Sequence, residues 1–216
     1  MGPRSTASRA GPDRRLFDLW ARFYDLPWVQ RVTYRPEQDA VLRRLLPLAP
    51  RRVLDVGCGT GILASRMQAV LPGVRVVGCD FSRGMLDRAA TRGRVVHWVQ
   101  GDAQRLPFAS GAFDAAVSTE AFHWFPDPHA ALRELHRVLT RRGRLLVALV
   151  NPPAEWLSRA TREASRLAGE PFDWPTRARM RQRVEAAGFR VEEQARILRL
   201  PAAFLLPTVL TVATRG

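Results

Sequence analysis

The chain has 216 residues, of which 46% are hydrophobic, and 34 basic residues against 20 acidic ones give a formal net charge of +14. This length suits one globular domain with a sizeable core, and two cysteines are too few for a disulfide framework. The most apolar stretch, residues 204–213, is short and contains Pro207, which excludes it as a transmembrane helix.

The positive charge has an unusual composition, because every basic residue is an arginine and the sequence contains no lysine. A complete replacement of this kind is typical of a coding bias, since exposed positions tolerate either residue. The arginines are also scattered along the chain. We therefore interpret them as a solvated surface, with a patch that binds RNA or an anionic membrane as the alternative.

Taken in chain order, residues 1–15 are predicted to be a disordered tail, and residues 16–44, rich in aromatic side chains, a helical lid. The remainder, residues 45–216, completes a single domain spanning 16–216, with residues 151–174 as an insertion on the substrate side. Apolar runs and amphipathic segments alternate along this domain, which predicts an α/β fold with a parallel sheet. The predicted strands are 52–56, 74–79, 95–100, 113–118, 144–150, 189–199 and 206–214, and the predicted helices are 61–71, 83–91, 128–139 and 175–187.

The first predicted strand leads into a glycine-rich loop, Asp55-Val56-Gly57-Cys58-Gly59-Thr60-Gly61. Alternating glycines let the backbone turn tightly and let a cofactor approach it closely. A carboxylate two residues before the first glycine would repel a pyrophosphate. It suits a cofactor that carries an ammonium and a sulfonium group.

Two further strands end in carboxylates. Asp80 lies about twenty residues beyond the glycine loop, where an acidic residue binds the two hydroxyls of a ribose. Phe81 and Met85 supply apolar faces for an adenine, and Asp102, with the backbone N–H beside it, offers partners for the polar edge of that base. Because parallel strands share one carboxyl edge, these residues are expected to converge there.

Five blocks, in this order and spacing, resemble the class I S-adenosylmethionine-dependent methyltransferases, in particular the branch of the ubiquinone, menaquinone and trans-aconitate enzymes. They are VLDVGCGTG (53–61), GCDFSRGML (78–86), GDAQRLPFASGAFDAAVS (101–118), FHWFPD (122–127) and LHRVLTRRGRLLVA (135–148).

The resemblance implies a Rossmann-like, seven-stranded, mostly parallel sheet with helices on both faces, and S-adenosylmethionine as the cofactor. The residues expected to bind it are Asp55, Gly57, Cys58, Gly59, Gly61, Asp80, Phe81, Met85, Asp102, Ala103 and Thr119.

The implied reaction is an in-line SN2 transfer of a methyl group to oxygen, carbon or nitrogen of a small-molecule or lipid-like acceptor. His123, just beyond the fourth strand, is the candidate general base; a structural histidine in an aromatic loop is the alternative. No spacing of cysteine, histidine and carboxylate residues suggests a metal site.

An RNA or protein methyltransferase that uses the basic surface is the alternative function, although we expect no nucleic-acid substrate. A nicotinamide dehydrogenase is disfavoured by Asp55. We further expect a cytoplasmic monomer or homodimer, with peripheral membrane contact left open.

Overall fold

The computed structural model describes residues 34–93, 95–167, 172–197 and 207–216. These residues form one seven-stranded sheet and six α-helices. The strands are β1 (Arg52–Val56), β2 (Arg75–Asp80), β3 (His97–Gln100), β4 (Phe113–Thr119), β5 (Leu139–Val150), β6 (Phe189–Ile197) and β7 (Thr208–Arg215). The helices are α1 (Arg35–Leu45), α2 (Ile62–Val70), α3 (Arg83–Ala90), α4 (Pro128–Val138), α5 (Glu155–Leu167) and α6 (Arg177–Ala186).

The order of strands across the sheet is β3-β2-β1-β4-β5-β7-β6. Strands β1 to β5 run parallel to one another, and β7 is antiparallel to both of its neighbours. The predicted seven-stranded, mostly parallel sheet is thus confirmed. The C-terminal ends of β1 to β5 form what we call the carboxyl edge, and their N-terminal ends form the amino edge.

Successive side chains of a strand point to opposite faces of the sheet, so the hydrophobic core is divided between these two faces. In β5, Leu145 and Val147 belong to a buried cluster that includes residues of α4 and α6. Leu146, between them, belongs to a second cluster that includes residues of α1 and α2. Helices therefore cover both faces, as expected for a sheet whose strands are apolar on both sides.

Local sequence explains where several helices begin. Asp127 caps α4, its side chain accepting from the backbone N–H groups of His129 and Ala130 at 3.0 Å, and Pro128 occupies the first turn. Ser82 caps α3 by accepting from the N–H of Met85. These caps fix the two helices directly beyond the carboxyl edge.

The structure differs from the predicted elements in two places. Residue 139, predicted as the end of a helix, and residues 140–143, assigned to no element, already belong to β5, where Leu139 pairs with Phe113 before the register shifts at Ala115. Arg142 lies within the part of β5 where the register shifts, and it has a left-handed φ of 61°. The other difference is α5, a helix that was not predicted within the insertion 151–174.

The predicted tail and the part of the predicted lid that precedes residue 34 lie outside the described residues. The described end of the lid is α1, whose buried face includes Val41 and Leu45. An ion pair between Asp39 and Arg66 joins α1 to α2. Among the helices of the described ranges, none has both the length and the apolar character needed to cross a bilayer.

Candidate active site

The residues predicted to bind a cofactor lie along the carboxyl edge. The loop after β1 contains Asp55 and the glycines, Asp80 ends β2, Asp102 and Ala103 follow β3, and Thr119 ends β4. His123 lies in a short 3-10 turn, Phe122–Trp124, just beyond β4. The parallel direction of β1 to β4 brings these separate parts of the sequence to one edge of the sheet.

Backbone hydrogen bonds tie the glycine loop to the end of β2. The N–H groups of Gly57 and Cys58 both donate to the carbonyl of Cys79, at 2.8 and 3.2 Å. The N–H of Gly59 donates to Asp80 Oδ2 at 2.8 Å, and the N–H of Ser82 donates to Asp80 Oδ1 at 2.9 Å. The Asp80 carboxylate therefore joins the loop to the start of α3.

Two glycines of the loop have different surroundings. A Cβ added to Gly57 would lie 2.3 Å from the Cβ of Ala121, so this glycine allows the loop to pack against the segment after β4. Gly59 has a φ of +53°, and no atom of the described residues lies within 4 Å of the place where a Cβ would be. Among the described residues, nothing thus blocks close approach of a ligand to the backbone at Gly59.

The carboxylate of Asp55 is 1% exposed and neither of its oxygens makes a well-formed hydrogen bond within the described residues. Burial raises the pKa of Asp55 to about 7, the negative charge of Asp80 adds to the rise, and the backbone N–H of Ala64 in α2 offsets part of it. An ionised carboxylate in this position lacks a counter-charge. It is therefore suited to a cationic ligand.

Burial also raises the pKa of the neighbouring groups. The pKa of Asp80 lies above its ordinary value, mainly because of burial, although the three backbone N–H groups at residues 59, 81 and 82 oppose the rise. Burial raises the pKa of the Cys79 thiol to about 12, with the charges of the nearby aspartates contributing. A thiol with such a pKa stays protonated and is a poor nucleophile.

The side of the site formed by β2 and β3 presents both apolar and polar groups. Phe81 is 45% exposed, whereas Met85 in the first turn of α3 is buried. Asp102 is exposed, and its Oδ1 accepts from the backbone N–H of Gln104 at 2.8 Å. These positions leave the ring of Phe81 and part of the Asp102 carboxylate accessible beside the glycine loop.

The side formed after β4 is aromatic. The His123 ring is buried, and its centroid lies 5.1, 6.2 and 5.9 Å from those of Trp124, Phe172 and Trp174. The last two residues belong to the insertion, and their segment is held in place because the N–H of Asp173 donates to the carbonyl of His123 at 3.0 Å. We call these four residues the aromatic cluster.

Trp98 was not predicted to belong to the site, and it lies opposite Gly78 in the register of β3 and β2. Its indole fills the space beside two glycines: an added Cβ would lie 2.4 Å from the ring at Gly78 and 2.3 Å from it at Gly61. The ring thereby supports the far side of the loop. A glycine within a predicted strand was the available signal, since it often marks the close approach of a bulky neighbour.

Comparisons with known proteins agree with this geometry. The sequence profile described as a methyltransferase domain matches residues 54–147. The chain is 41% identical over 133 residues to a demethylmenaquinone methyltransferase of Thermus thermophilus, covering 60% of this chain and 56% of that protein. It is 33% identical over 173 residues to the demethylmenaquinone methyltransferase of Corynebacterium kroppenstedtii, covering 71% of this chain and 74% of that protein.

A solved structure extends the similarity to the fold. It is a complex between the Haloferax volcanii Trm112 methyltransferase activator and a methyltransferase, with a TM-score of 0.79 and 26% identity over 94% of this chain and 97% of that one. Against the first four curated relatives that it matches, the chain spans only 39–62% of their length.

The packing of Trp98 predicts that Gly78→Ala is destabilising. Gly78 has an ordinary φ, so the cost is steric, and we expect overpacking to lower the free energy of unfolding by about 1–3 kcal/mol. In the double variant Gly78→Ala/Trp98→Leu, the added methyl group no longer meets the indole. The same Gly78→Ala change should then lower the free energy of unfolding by less than it does in the wild-type background. Urea denaturation of the four members of this cycle measures the coupling, and strictly additive effects would contradict the assigned contact.

The raised pKa of Asp55 predicts a pH-dependent stability. The folded state holds this proton more tightly than the unfolded chain does, so ionisation of Asp55 disfavours folding. Its contribution to the free energy of unfolding should fall as the pH rises from about 4 to about 7, by at most about 1.4 kcal/mol per unit.

Asp55→Asn should remove this contribution, so the variant should gain stability relative to the wild type as the pH rises across that window. Urea denaturation at several pH values measures the difference, and Asp87→Asn, at an exposed position of α3, is the matched control. Curves for Asp55→Asn and wild type that run parallel from acid to neutral pH would contradict the assignment.

Proposed function

Because the chain belongs to the class I S-adenosylmethionine-dependent methyltransferases, we propose that its carboxyl-edge site binds S-adenosylmethionine and that the protein methylates a small-molecule or lipid-like acceptor. The observation that carries this proposal is the Asp55 carboxylate, which is buried without a counter-charge from the described residues, beside a loop that none of those residues covers at Gly59. A pyrophosphate-bearing dinucleotide would bring further negative charge to the same place.

The residues at the site fit this cofactor. Asp55 provides a negative potential for the cationic groups, and Asp80 provides carboxylate oxygens for the ribose hydroxyls. The exposed ring of Phe81 offers a face for the adenine, with Met85 beneath the start of α3. The other residues proposed to contact the cofactor are Gly57, Cys58, Gly59, Gly61, Asp102, Ala103 and Thr119, all at the carboxyl edge.

When bound, S-adenosylmethionine supplies a methyl group on a sulfonium that is already activated for in-line displacement. The protein's own contribution is then to orient the acceptor and to exclude water from the reacting atoms. The aromatic cluster supports this role, since Trp124, Phe172 and Trp174 are only half-buried and present ring surface near the end of β4.

The aromatic cluster and the relatives together favour a planar, apolar acceptor. Two relatives are named for methyl transfer to demethylmenaquinone, which makes this quinone the first acceptor to test. We assign His123 as the base that removes a proton from such an acceptor, because it is the ionisable side chain within the cluster.

The charge of the chain gives little support to RNA or protein as the acceptor. Arg51 and Arg75, which form no ion pair with any described residue, lie at the amino edge of the sheet, opposite the proposed site. A macromolecule bound there would be separated from the reacting groups by the length of the strands. The small-molecule or lipid-like acceptor is therefore the better supported proposal.

The proposed role of Asp80 predicts that Asp80→Asn weakens binding of S-adenosylmethionine. The amide keeps the size of the side chain but loses a charged acceptor, so we expect the dissociation constant to rise at least about tenfold. Isothermal titration calorimetry measures the change, with Asp87→Asn as the matched control because Asp87 lies on the exposed side of α3. Equal affinities for Asp80→Asn and the control would remove the ribose assignment.

The proposed role of His123 predicts that His123→Asn lowers the rate of methyl transfer by about 100-fold or more, with donor affinity unchanged. Incorporation of labelled methyl groups into demethylmenaquinone and into a total lipid extract measures the rate. If His123 acts as the base, the wild-type rate should depend on pH and the rate of the variant should not.

His129→Asn provides the matched control, because His129 is exposed in the first turn of α4. A His123→Asn rate equal to that of the control, with the same pH profile as wild type, would assign His123 a purely structural role.

A further inference from the structure

A second cleft lies at the amino edge, on the opposite side of the sheet from the proposed methyl-transfer site. It has a volume of about 840 Å³ and includes three arginines, Arg51, Arg52 and Arg75, together with Asp114 in its lining. Arg52 begins β1, three residues before Asp55, so about 10 Å of strand separates the cleft from the carboxyl edge. Neither the sequence motifs nor the proposed reaction uses this cleft.

The strand register forces like charges together in the cleft. Arg52 and Arg75 are direct partners in the parallel pairing of β1 and β2, and Arg75 N–H donates to the carbonyl of Arg51 at 2.7 Å. Like charges directly opposite each other in a sheet are destabilising unless a counter-charge is present. The fold thus holds three guanidinium groups around one concave surface.

The carboxylate in the cleft is already engaged. Asp114 Oδ2 accepts from the backbone N–H groups of Arg51 and Arg52, both at 2.9 Å, and Oδ1 lies 3.6 Å from a guanidinium nitrogen of Arg52. The side chains of Arg51 and Arg75 form no ion pair or hydrogen bond with any described residue. Three arginines and one aspartate therefore leave the lining with two positive charges in excess.

Some arginines of the described ranges, such as Arg44, Arg137 and Arg183, pair with a carboxylate, and others, such as Arg141 and Arg142, do not. Arg51 and Arg75 are set apart by lying with Arg52 around one cleft. An arginine-rich composition explains how many arginines the chain has. It does not explain why arginines lacking a carboxylate partner line a cleft.

The backbone of the cleft wall also has special conformations. Ala49 has a left-handed φ of 43°, which is uncommon for a residue with a side chain, and Gly73 has a φ of +66° with open space around it. The conformation of Ala49 ends the 3-10 helix Leu46–Leu48. At Gly73, no described residue would meet an added side chain, so a ligand can approach the backbone of the wall closely there.

We propose that the cleft formed by Arg51, Arg52 and Arg75 at the amino edge binds a small phosphate-bearing ligand, either a phosphomonoester or a pyrophosphate. Guanidinium groups match the geometry of phosphate oxygens and donate two hydrogen bonds at once. The volume falls within the usual range for small-ligand sites. A nucleic acid fits less well, because β4, with Asp114 at its start, lies between this cleft and the exposed Arg141 and Arg142.

The test titrates the full chain with sodium pyrophosphate and with glycerol 3-phosphate, by calorimetry at about 0.15 M salt, where long-range attraction is screened. The decisive variant is Arg51→Gln/Arg75→Gln. The matched control is Arg141→Gln/Arg142→Gln, which removes the same charge from exposed arginines of the same edge that make no ion pair with a described residue. Thermal melting and S-adenosylmethionine affinity of both variants show that the fold and the carboxyl-edge site are intact.

We expect at least one of the two phosphate probes to bind the wild type and the control equally, and to bind Arg51→Gln/Arg75→Gln at least about tenfold more weakly. The single variants Arg51→Gln and Arg75→Gln should lose an intermediate amount of affinity for that probe. The proposal would be overturned if the wild type bound neither probe, or if Arg51→Gln/Arg75→Gln and its control lost affinity equally. Binding of a short single-stranded RNA that depends equally on both arginine pairs, without binding of either probe, would assign the edge to nucleic acid instead.

Discussion

The parallel direction of β1 to β5 is the constraint on which the functional architecture depends. It places the carboxyl ends of these strands, with Asp55, Asp80 and Asp102, at one edge of the sheet. Burial raises the pKa of both Asp55 and Asp80, and the negative charge of Asp80 raises the pKa of Asp55 further. The fold therefore stores an electrostatic cost at this edge, which a cationic ligand would relieve.

The same direction of the strands gives the opposite edge its own character. The residues that begin β1 and β2 are arginines, and the parallel register sets Arg52 beside Arg75. Arg51 and Arg75, which pair with no carboxylate among the described residues, thus lie at the edge opposite Asp55 and Asp80. The length of β1, about 10 Å from Arg52 to Asp55, separates this positive charge from the two carboxylates.

Close packing around the glycine loop complements the electrostatics. The absence of a side chain at Gly57 allows close contact with Ala121. In the same way, Gly61 and Gly78 leave room for the indole of Trp98. Among these glycines, only Gly59 has no described residue beside it. The Asp80 carboxylate fixes the open position by accepting from the Gly59 N–H. A loop held by its neighbours on one side and free on the other is pre-organised for a ligand, and binding then costs less conformational entropy.

The sequence by itself determined the chain order of the seven strands, the glycine loop, and the carboxylates at or just beyond the ends of β1, β2 and β3. These features are local, since each depends on apolar periodicity, on capping residues or on glycines at a fixed spacing. The predicted start of β5 at residue 144 was wrong, because the pairing of Leu139 with Phe113 extends this strand back to the end of α4.

Only the tertiary structure decided which side chains meet across distant segments. The contact of Trp98 with Gly61 and Gly78 depends on strand register, and the aromatic cluster depends on a backbone hydrogen bond between Asp173 and His123. The cleft of Arg51, Arg52 and Arg75 likewise required the register of β1 and β2. Such contacts join residues far apart in the chain, so no local pattern specifies them, and they form only when the whole sheet packs.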